Sequence, residues 1–326
     1  MSVTKIGAGS ELAAARELKA VMQGKVVLRG DDDYARTRQI WNGAVEHQPA
    51  LFAVCETAAD VQTAVRSARE HGFPLSVRSG GHDWAGRSLC HGGLVIDLSE
   101  MRRVEVAPLA SVATIQGGAT AVDFISATKP HGLVAVTGNC GSVGMVGLTS
   151  GGGYGPLTLR YGLALDNLLS AEVVLADGRL VNCNKHENPD LFWVLRGGGG
   201  NFGVVTSMRV RLHAIRQVLG GMMLFPWSQA EYVLGGYADS IPDAPDELSI
   251  LAGFLPGPDG GPLACLAPMW SGDGKQGEAW IARLRQLGTP VVDQVGTIPY
   301  LDWLGMFGAA APLAGIMRRR TARWLG

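Results

Sequence analysis

Residues 137–155 read TGNCGSVGMVGLTSGGGYG, eight glycines in nineteen positions with no charged side chain among them. A solvated loop would carry polar and charged residues, and a regular helix would not tolerate glycine at this density. The stretch must therefore pack against something. Glycine lets backbone come close to a ligand where any Cβ would stand in the way. Cys140 lies near one end of the stretch and Tyr154 near the other.

The segments on either side give that stretch its setting. Upstream, LFAVCE (51–56) reads as a short buried strand, and Val61, Ala64, Val65 and Ala68 follow at helical spacing. Gly72, Pro74 and a second strand, LSVRS (75–79), complete a β-α-β unit. Its exit, Arg78-Ser79-Gly80-Gly81-His82, is a glycine turn at the carboxyl end of a strand, where α/β units commonly bind ligands. Strand-like LVIDL (94–98), segments near 104–106 and 112–115 and a helical stretch near 120–130 close one lobe. Downstream, AEVVLADGRLVNC (171–183) predicts a hairpin turned at Asp177-Gly178. NPDLFWVLRGG (188–198) predicts a short helix, and FGVVTSMRVRLHAI (202–215) a long alternating strand, giving a second lobe.

Past residue 217 the order becomes strand-helix-strand-strand-helix-strand, which predicts an antiparallel sheet with helices on one face. Ser228, with Glu231 three residues on, has the spacing of a helix-opening capping box. The expected organisation is an N-terminal segment over 1–46, a two-lobed domain over 47–216 and a further, partial domain over 217–326.

Composition narrows the function. The 326 residues are 47% hydrophobic and 17% charged, enough apolar material for two domains and too much for disorder. Twenty-eight basic and 29 acidic residues leave a net charge of -1, so neither nucleic acid nor an anionic membrane is the expected partner. A small molecule is. Met1–Ala20 lacks an apolar run beside a basic flank, which predicts a cytoplasmic protein without a signal peptide. Five cysteines at irregular spacing, with no CxxC pair, indicate neither a disulfide framework nor a zinc site, and the adjacent Cys90-His91 reads as structural.

Most familiar motifs are absent. There is no GxxxxGK[ST], GxSxG, HExxH or EF-hand spacing. Gly198-x-Gly200-x-x-Gly203 spells the dinucleotide fingerprint, but a helix precedes it and a strand follows, the reverse of the required order. What remains is His82 on its Gly-Gly turn and Cys140 in the glycine stretch. Taken singly, each also fits a packed histidine or a small core thiol. Their glycine neighbours point instead to reactive side chains presented to a flat, rigid ligand.

RSGGHDWAGRS (78–88), GNCGSVGMVGLTSGGGYGPLTLRYGLALDN (138–167), the ADG hairpin and NPDLFWVLRGGGGNFGVVT (188–206) together resemble the berberine bridge enzyme-like FAD-linked oxidases, which carry the vanillyl-alcohol-oxidase (PCMH) type of FAD-binding domain. YARTRQIWNGAVEHQPALFAVCET (34–57) resembles the family's opening segment. The resemblance implies an α+β fold, a two-lobed PCMH-type domain followed by an incomplete substrate domain of antiparallel sheet and helices. It also implies FAD held at two covalent links, His82 to the 8α carbon and Cys140 to C6.

By the same resemblance, Arg78, Ser79, Gly80, Gly81 and Asp83 lie against the pyrophosphate, where backbone amides bind an anion without net positive charge. Gly144, Gly147, Ser150 and Val205 are further FAD contacts, and Val143 is the small residue that leaves O2 room above the flavin. Tyr154 lines the substrate side and assists removal of a substrate proton, which requires a neighbour that lowers its pKa. Trp84 forms part of the cleft wall. The implied activity is oxidation of an alcohol or related C–H in a sugar or secondary metabolite, with O2 as acceptor. The alternative is a catalytically inactive flavin-binding remnant. Family members continue beyond residue 326, and the ending, Ile316 to Gly326 with Arg318-Arg319-Arg320, reads as an interruption.

Overall fold

The β-α-β unit forms where the apolar spacing placed it. In the computed structural model, which describes residues 8–308, Thr57 opens the helix Ala58–Glu70. Its hydroxyl accepts the Asp60 amide at 3.2 Å while the Asp60 carboxylate accepts the Thr57 amide at 3.2 Å, a reciprocal cap. The helix buries Val61, Ala64, Val65 and Ala68. Beneath it lies a sheet of β1 (Lys25–Leu28), β2 (Leu51–Val54), β3 (Leu75–Arg78) and β4 (Leu94–Asp97), ordered β1-β2-β4-β3. β4 is parallel to both β2 and β3, so its ligand-facing carboxyl end coincides with that of β3. β2 and β4 are buried along their whole length, as strands between two covered faces must be.

The second lobe is antiparallel. It comprises β5 (Val104–Ala107), β6 (Val112–Gln116), the two-residue β7 (Leu133–Val134), β8 (Leu168–Val174), β9 (Leu180–Asn184), β10 (Val204–Arg211) and β11 (His213–Ala214). Five of these form a sheet in the order β5-β6-β10-β8-β9, and β7 pairs with β11. The β8–β9 hairpin turns at Asp177-Gly178, with Gly178 at φ 83, as the sequence indicates. The glycine stretch differs from expectation in one respect. Met145–Ser150 is helical, six residues begun at Gly144, and its N-terminal flank is held at the start of helix Ala121–Thr128: Ala121 and Val122 donate to the Val143 and Gly141 carbonyls, and Met145 donates to the Ala119 carbonyl.

The third sheet contains β12 (Val218–Gly220), β13 (Met223–Pro226), β14 (Leu248–Pro256), β15 (Pro262–Trp270), β16 (Val292–Asp293) and β17 (Gly296–Ile298). β15 pairs with β14 along one edge and with β12 and β13 along the other. Alternation along β15 gives the sheet two covered faces. Ala264, Leu266 and Trp270 pack with Val233, Ile281 and Leu284 of helices Ala230–Ser240 and Gly274–Arg285. Met269, on the opposite face, joins the core of the second lobe together with Val218, Tyr300, Trp303 and Leu304. Burying each large side chain in such a core contributes about 1.5–3 kcal/mol relative to exposure.

The expected Ser228 capping box does not form. Pro226, at φ -52, leads into a 3-10 turn over Trp227–Gln229, so the helix starts at Ala230 after Gln229, with no side-chain cap. Helix Tyr300–Gly308 closes the described chain: Trp303 donates from its indole to the Pro268 carbonyl at 3.2 Å, and the Tyr300 hydroxyl lies 3.1 Å from that of Thr137. The expectations for Ile316–Gly326 lie outside the described residues.

Candidate functional site

Two glycine loops meet at the carboxyl ends of β3 and β4. Gly80 and Gly144 face each other so closely that a Cβ on Gly80 would stand 2.2 Å from the Gly144 nitrogen, and one on Gly144 would stand 2.4 Å from the Gly80 nitrogen. Only glycine fits either side. Gly81 has φ 67, the left-handed region that glycine enters without steric cost, and this turns the chain so that His82 faces the second loop. The Ser79 hydroxyl ties the first loop to the second lobe by donating to the Gly117 carbonyl at 2.7 Å.

His82 and Cys140 are brought together, as the sequence predicts. His82 Nε2 lies 2.8 Å from the Ser142 hydroxyl, and Cys140 Sγ lies 3.3 Å from the same oxygen. The His82 ring stacks on Trp41 with centroids 5.5 Å apart and planes 26° from parallel. Trp41 also meets Trp84 edge-on at 4.8 Å. Its amide donates to the Gly81 carbonyl at 3.0 Å, and Asn42 donates to the Trp84 carbonyl at 2.8 Å, so this N-terminal segment is stitched to the His82 turn. Burial pushes the His82 pKa below its ordinary value, which keeps the imidazole neutral near pH 7. Trp84 is 66% exposed, as a wall of an open cleft would be.

The side chains of Arg78 and Asp83 are engaged within the fold. Arg78 is buried; its guanidinium pairs with the almost fully buried Asp97, reaches the Thr37 and Gln39 carbonyls and lies 5.5 Å over the Phe52 ring. That side chain is a strut beneath the turn, not a group facing a ligand. The Asp83 carboxylate accepts the Arg87 amide at 2.7 Å and pairs with the Arg87 guanidinium at 2.6 Å, which holds it below the usual carboxylate range. In both residues the side chain has its partner within the fold, which leaves backbone to face the gap.

That backbone suits an anion. Among the described residues, no hydrogen bond engages the amides of Gly80, Gly81, Gly141, Ser142 or Gly144. A cradle shut to any Cβ and lined with free N–H groups fits the pyrophosphate of FAD, and an imidazole and a thiol at its rim fit a flavin edge. Gly147 has open space where a Cβ would point. The Ser150 carbonyl accepts the Gly197 amide at 3.1 Å, linking the stretch to the glycines after helix Pro189–Leu195. Val205 sits at a bulge in β10, with its carbonyl toward Gly117. Val143, half-buried, follows Ser142 directly.

Tyr154 is 64% exposed at the end of the stretch. Burial raises the pKa of Tyr237, on helix Ala230–Ser240, and the nearby Tyr154 adds to that rise. Trp41, Ser142 and Tyr237 escaped the sequence reading. Trp41 lies within the segment quoted for the family's opening, but no local spacing marks it as a ring for His82. Among the described residues no helix is long and apolar enough to cross a membrane.

The family described as "FAD binding domain" matches residues 49–184. The (R)-6-hydroxynicotine oxidase of Paenarthrobacter nicotinovorans is 37% identical over 286 residues, which cover 86% of this chain and 62% of that protein. A crystal structure of 6-hydroxy-D-nicotine oxidase from Arthrobacter nicotinovorans superposes with a TM-score of 0.84 at 34% identity, over 89% of this chain and 65% of that one. Glucooligosaccharide oxidase from Acremonium strictum, whose structure concerns its 6-S-cysteinyl, 8α-N1-histidyl FAD, superposes with a TM-score of 0.79 at 25% identity, over 92% of this chain and 64% of that one. The chain thus spans just under two thirds of the length of these relatives.

Proposed function

Because the chain belongs to the berberine bridge enzyme-like FAD-linked oxidases, we propose that it carries FAD bound through both His82 and Cys140 and oxidises a small molecule with O2 as electron acceptor. One observation supports the double linkage above all others: the imidazole and the thiol approach the same hydroxyl, at 2.8 and 3.3 Å, on the rim of a glycine-lined cradle. When bound, FAD supplies the acceptor for a substrate hydride and the route from it to O2. Two attachments would hold the cofactor in an open cleft without dissociation, an arrangement suited to a bulky substrate. Relatives are named for 6-hydroxynicotine and for glucooligosaccharide. The substrate class is therefore an alcohol or related C–H donor among sugars and secondary metabolites.

Each residue has one task in this scheme. His82, kept neutral by burial, presents a nucleophilic ring nitrogen. Ser79, Gly80, Gly81 and Gly144 offer backbone to the pyrophosphate, with Gly147, Ser150 and Val205 along the rest of the cofactor. Arg78 and Asp83 contribute main chain only, their side chains being tied to Asp97 and Arg87. Val143 is small enough to leave O2 an approach. Tyr154, in an exposed position facing substrate, takes the proton from the substrate hydroxyl.

Intact mass of the denatured chain tests the linkage: one added FAD is expected in the wild type and in each single variant, His82→Ala and Cys140→Ser, and none in the double variant. H2O2 release across a panel of sugars and alkaloid alcohols tests turnover. Covalent flavin with no peroxide from any donor would return the protein to a non-catalytic flavin binder.

A further inference from the structure

Ser142 touches both attachment residues and has no task in the scheme above. Its oxygen is 2.8 Å from Nε2 of His82 and 3.3 Å from Sγ of Cys140. A hydroxyl has one proton to give, so if it donates to one of these neighbours it accepts from the other. With the proton on the sulfur side, Nε2–H donates to Ser142, Ser142 donates to Cys140 Sγ, and Nδ1 is left with its lone pair. In the reverse direction Nε2 accepts and Nδ1 carries the hydrogen. Either way Nε2 is engaged, and the stack on Trp41 opposes the ring flip that would exchange the two nitrogens.

We infer that Ser142 is a positioning residue for flavinylation, which reserves Nδ1 of His82 as the bonding nitrogen and joins the two attachments through one hydroxyl. The inference rests on the doubly linked FAD proposed above. Each attachment forms one bond, from nitrogen or sulfur to a flavin carbon, and breaks one C–H bond and one N–H or S–H bond. The two electrons and two protons released reduce O2 to H2O2. For His82 the departing side-chain proton is the one on Nε2, already hydrogen-bonded to Ser142. For Cys140 it is the proton on Sγ, which lies 3.3 Å from the same hydroxyl.

The test compares wild type, Ser142→Ala and Ser142→Thr as purified holoproteins. Intact mass of the denatured chains gives the proportion carrying covalent FAD. Proteolysis gives the proportion in which the His82 and Cys140 peptides share one flavin, and NMR of the isolated His82 flavopeptide identifies the bonded nitrogen. Loss of the hydroxyl should cut the doubly linked fraction on the order of tenfold and let the Nε2 isomer appear. Threonine, which keeps the hydroxyl, should restore both. A Ser142→Ala protein with the wild-type doubly linked fraction and only Nδ1 attachment would overturn the inference. So would a Ser142→Thr protein that melts like wild type yet behaves like Ser142→Ala. A wild type without covalent flavin removes the underlying reading and this inference together, whereas the other two outcomes remove this inference alone.

Discussion

His82 and His213 occupy two pockets built on one plan. Each imidazole lies against an aromatic ring, His82 on Trp41 at 5.5 Å and His213 on Tyr161 at 3.7 Å. Each has Nε2 in a 2.8 Å hydrogen bond. Burial lowers both pKa values, and for His213 the nearby Arg211 and Arg160 help to bring it down to about 4. A neutral imidazole is therefore what packing yields in either place and does not by itself mark a reactive group. The difference lies in the partner. Asn167 accepts from His213 and donates to the Tyr161 and Leu163 carbonyls, so that network closes on itself. Ser142 instead leads from His82 to a thiol and a gap lined with free amides.

The comparison breaks first at the support beneath His82. Arg78→Met would leave the Asp97 carboxylate, 1% exposed, without its counter-ion, and should cost about 3–5 kcal/mol in denaturant unfolding. A loss below about 1 kcal/mol would show that the His82 turn does not depend on this pair. Gly144→Ala comes next. Its methyl would meet Ser79 Oγ at 2.3 Å and the Gly80 nitrogen at 2.4 Å, so about 1–3 kcal/mol of stability should go, together with covalent FAD. Gly147→Ala, which meets nothing within 4 Å, is the control for stability. Equal melting of the two variants would mean the loops do not need their close approach.

The His213 pocket should reveal itself through pH. Its folded pKa is depressed, so the unfolded imidazole takes up a proton first. Its contribution is whole above pH 6.5 and is lost as pH falls toward about 4. Because the ring is only half buried, screening leaves about 1–2 kcal/mol of that change. His213→Gln should flatten the stability curve in this window more than His82→Gln does; the reverse order would exchange the two pockets in the comparison. The smallest effect is expected for Trp41→Leu, about 0.5–1.5 kcal/mol from the lost ring contacts, read in thermal unfolding. No change there would mean that the stack on His82 contributes nothing to folding.

The residues proposed to hold the flavin stood out in the sequence, and the scaffolding around them did not. His82 and Cys140 stood out because glycines crowd around them, and glycine crowding is a local signal. The resemblance puts Arg78 in a turn that meets the pyrophosphate through backbone, which says nothing of where its side chain goes. Its partner follows from parallel register, in which Arg78 falls beside Asp97 at the ends of β3 and β4. Trp41 reaches His82 by a long-range fold-back that no spacing announces. Ser228 and Glu231 had the right separation for a cap, but Pro226 sets a 3-10 turn that moves the helix start past them. Spacing reports what a segment could do alone, and each miss occurred where a distant or preceding residue decided otherwise.

The buried bond between Thr137 and Tyr300 joins residues 163 positions apart, at the root of the cradle. Protein synthesis delivers the two glycine loops long before it delivers that tyrosine, and contacts of such separation are slow to form. Assembly of the proposed flavin seat is therefore expected late in biogenesis, with a ribosome stalled inside the third sheet holding His82 and Cys140 already made and their surroundings unfinished. Nascent chains arrested before residue 300 that already hold FAD covalently would show the order to be otherwise.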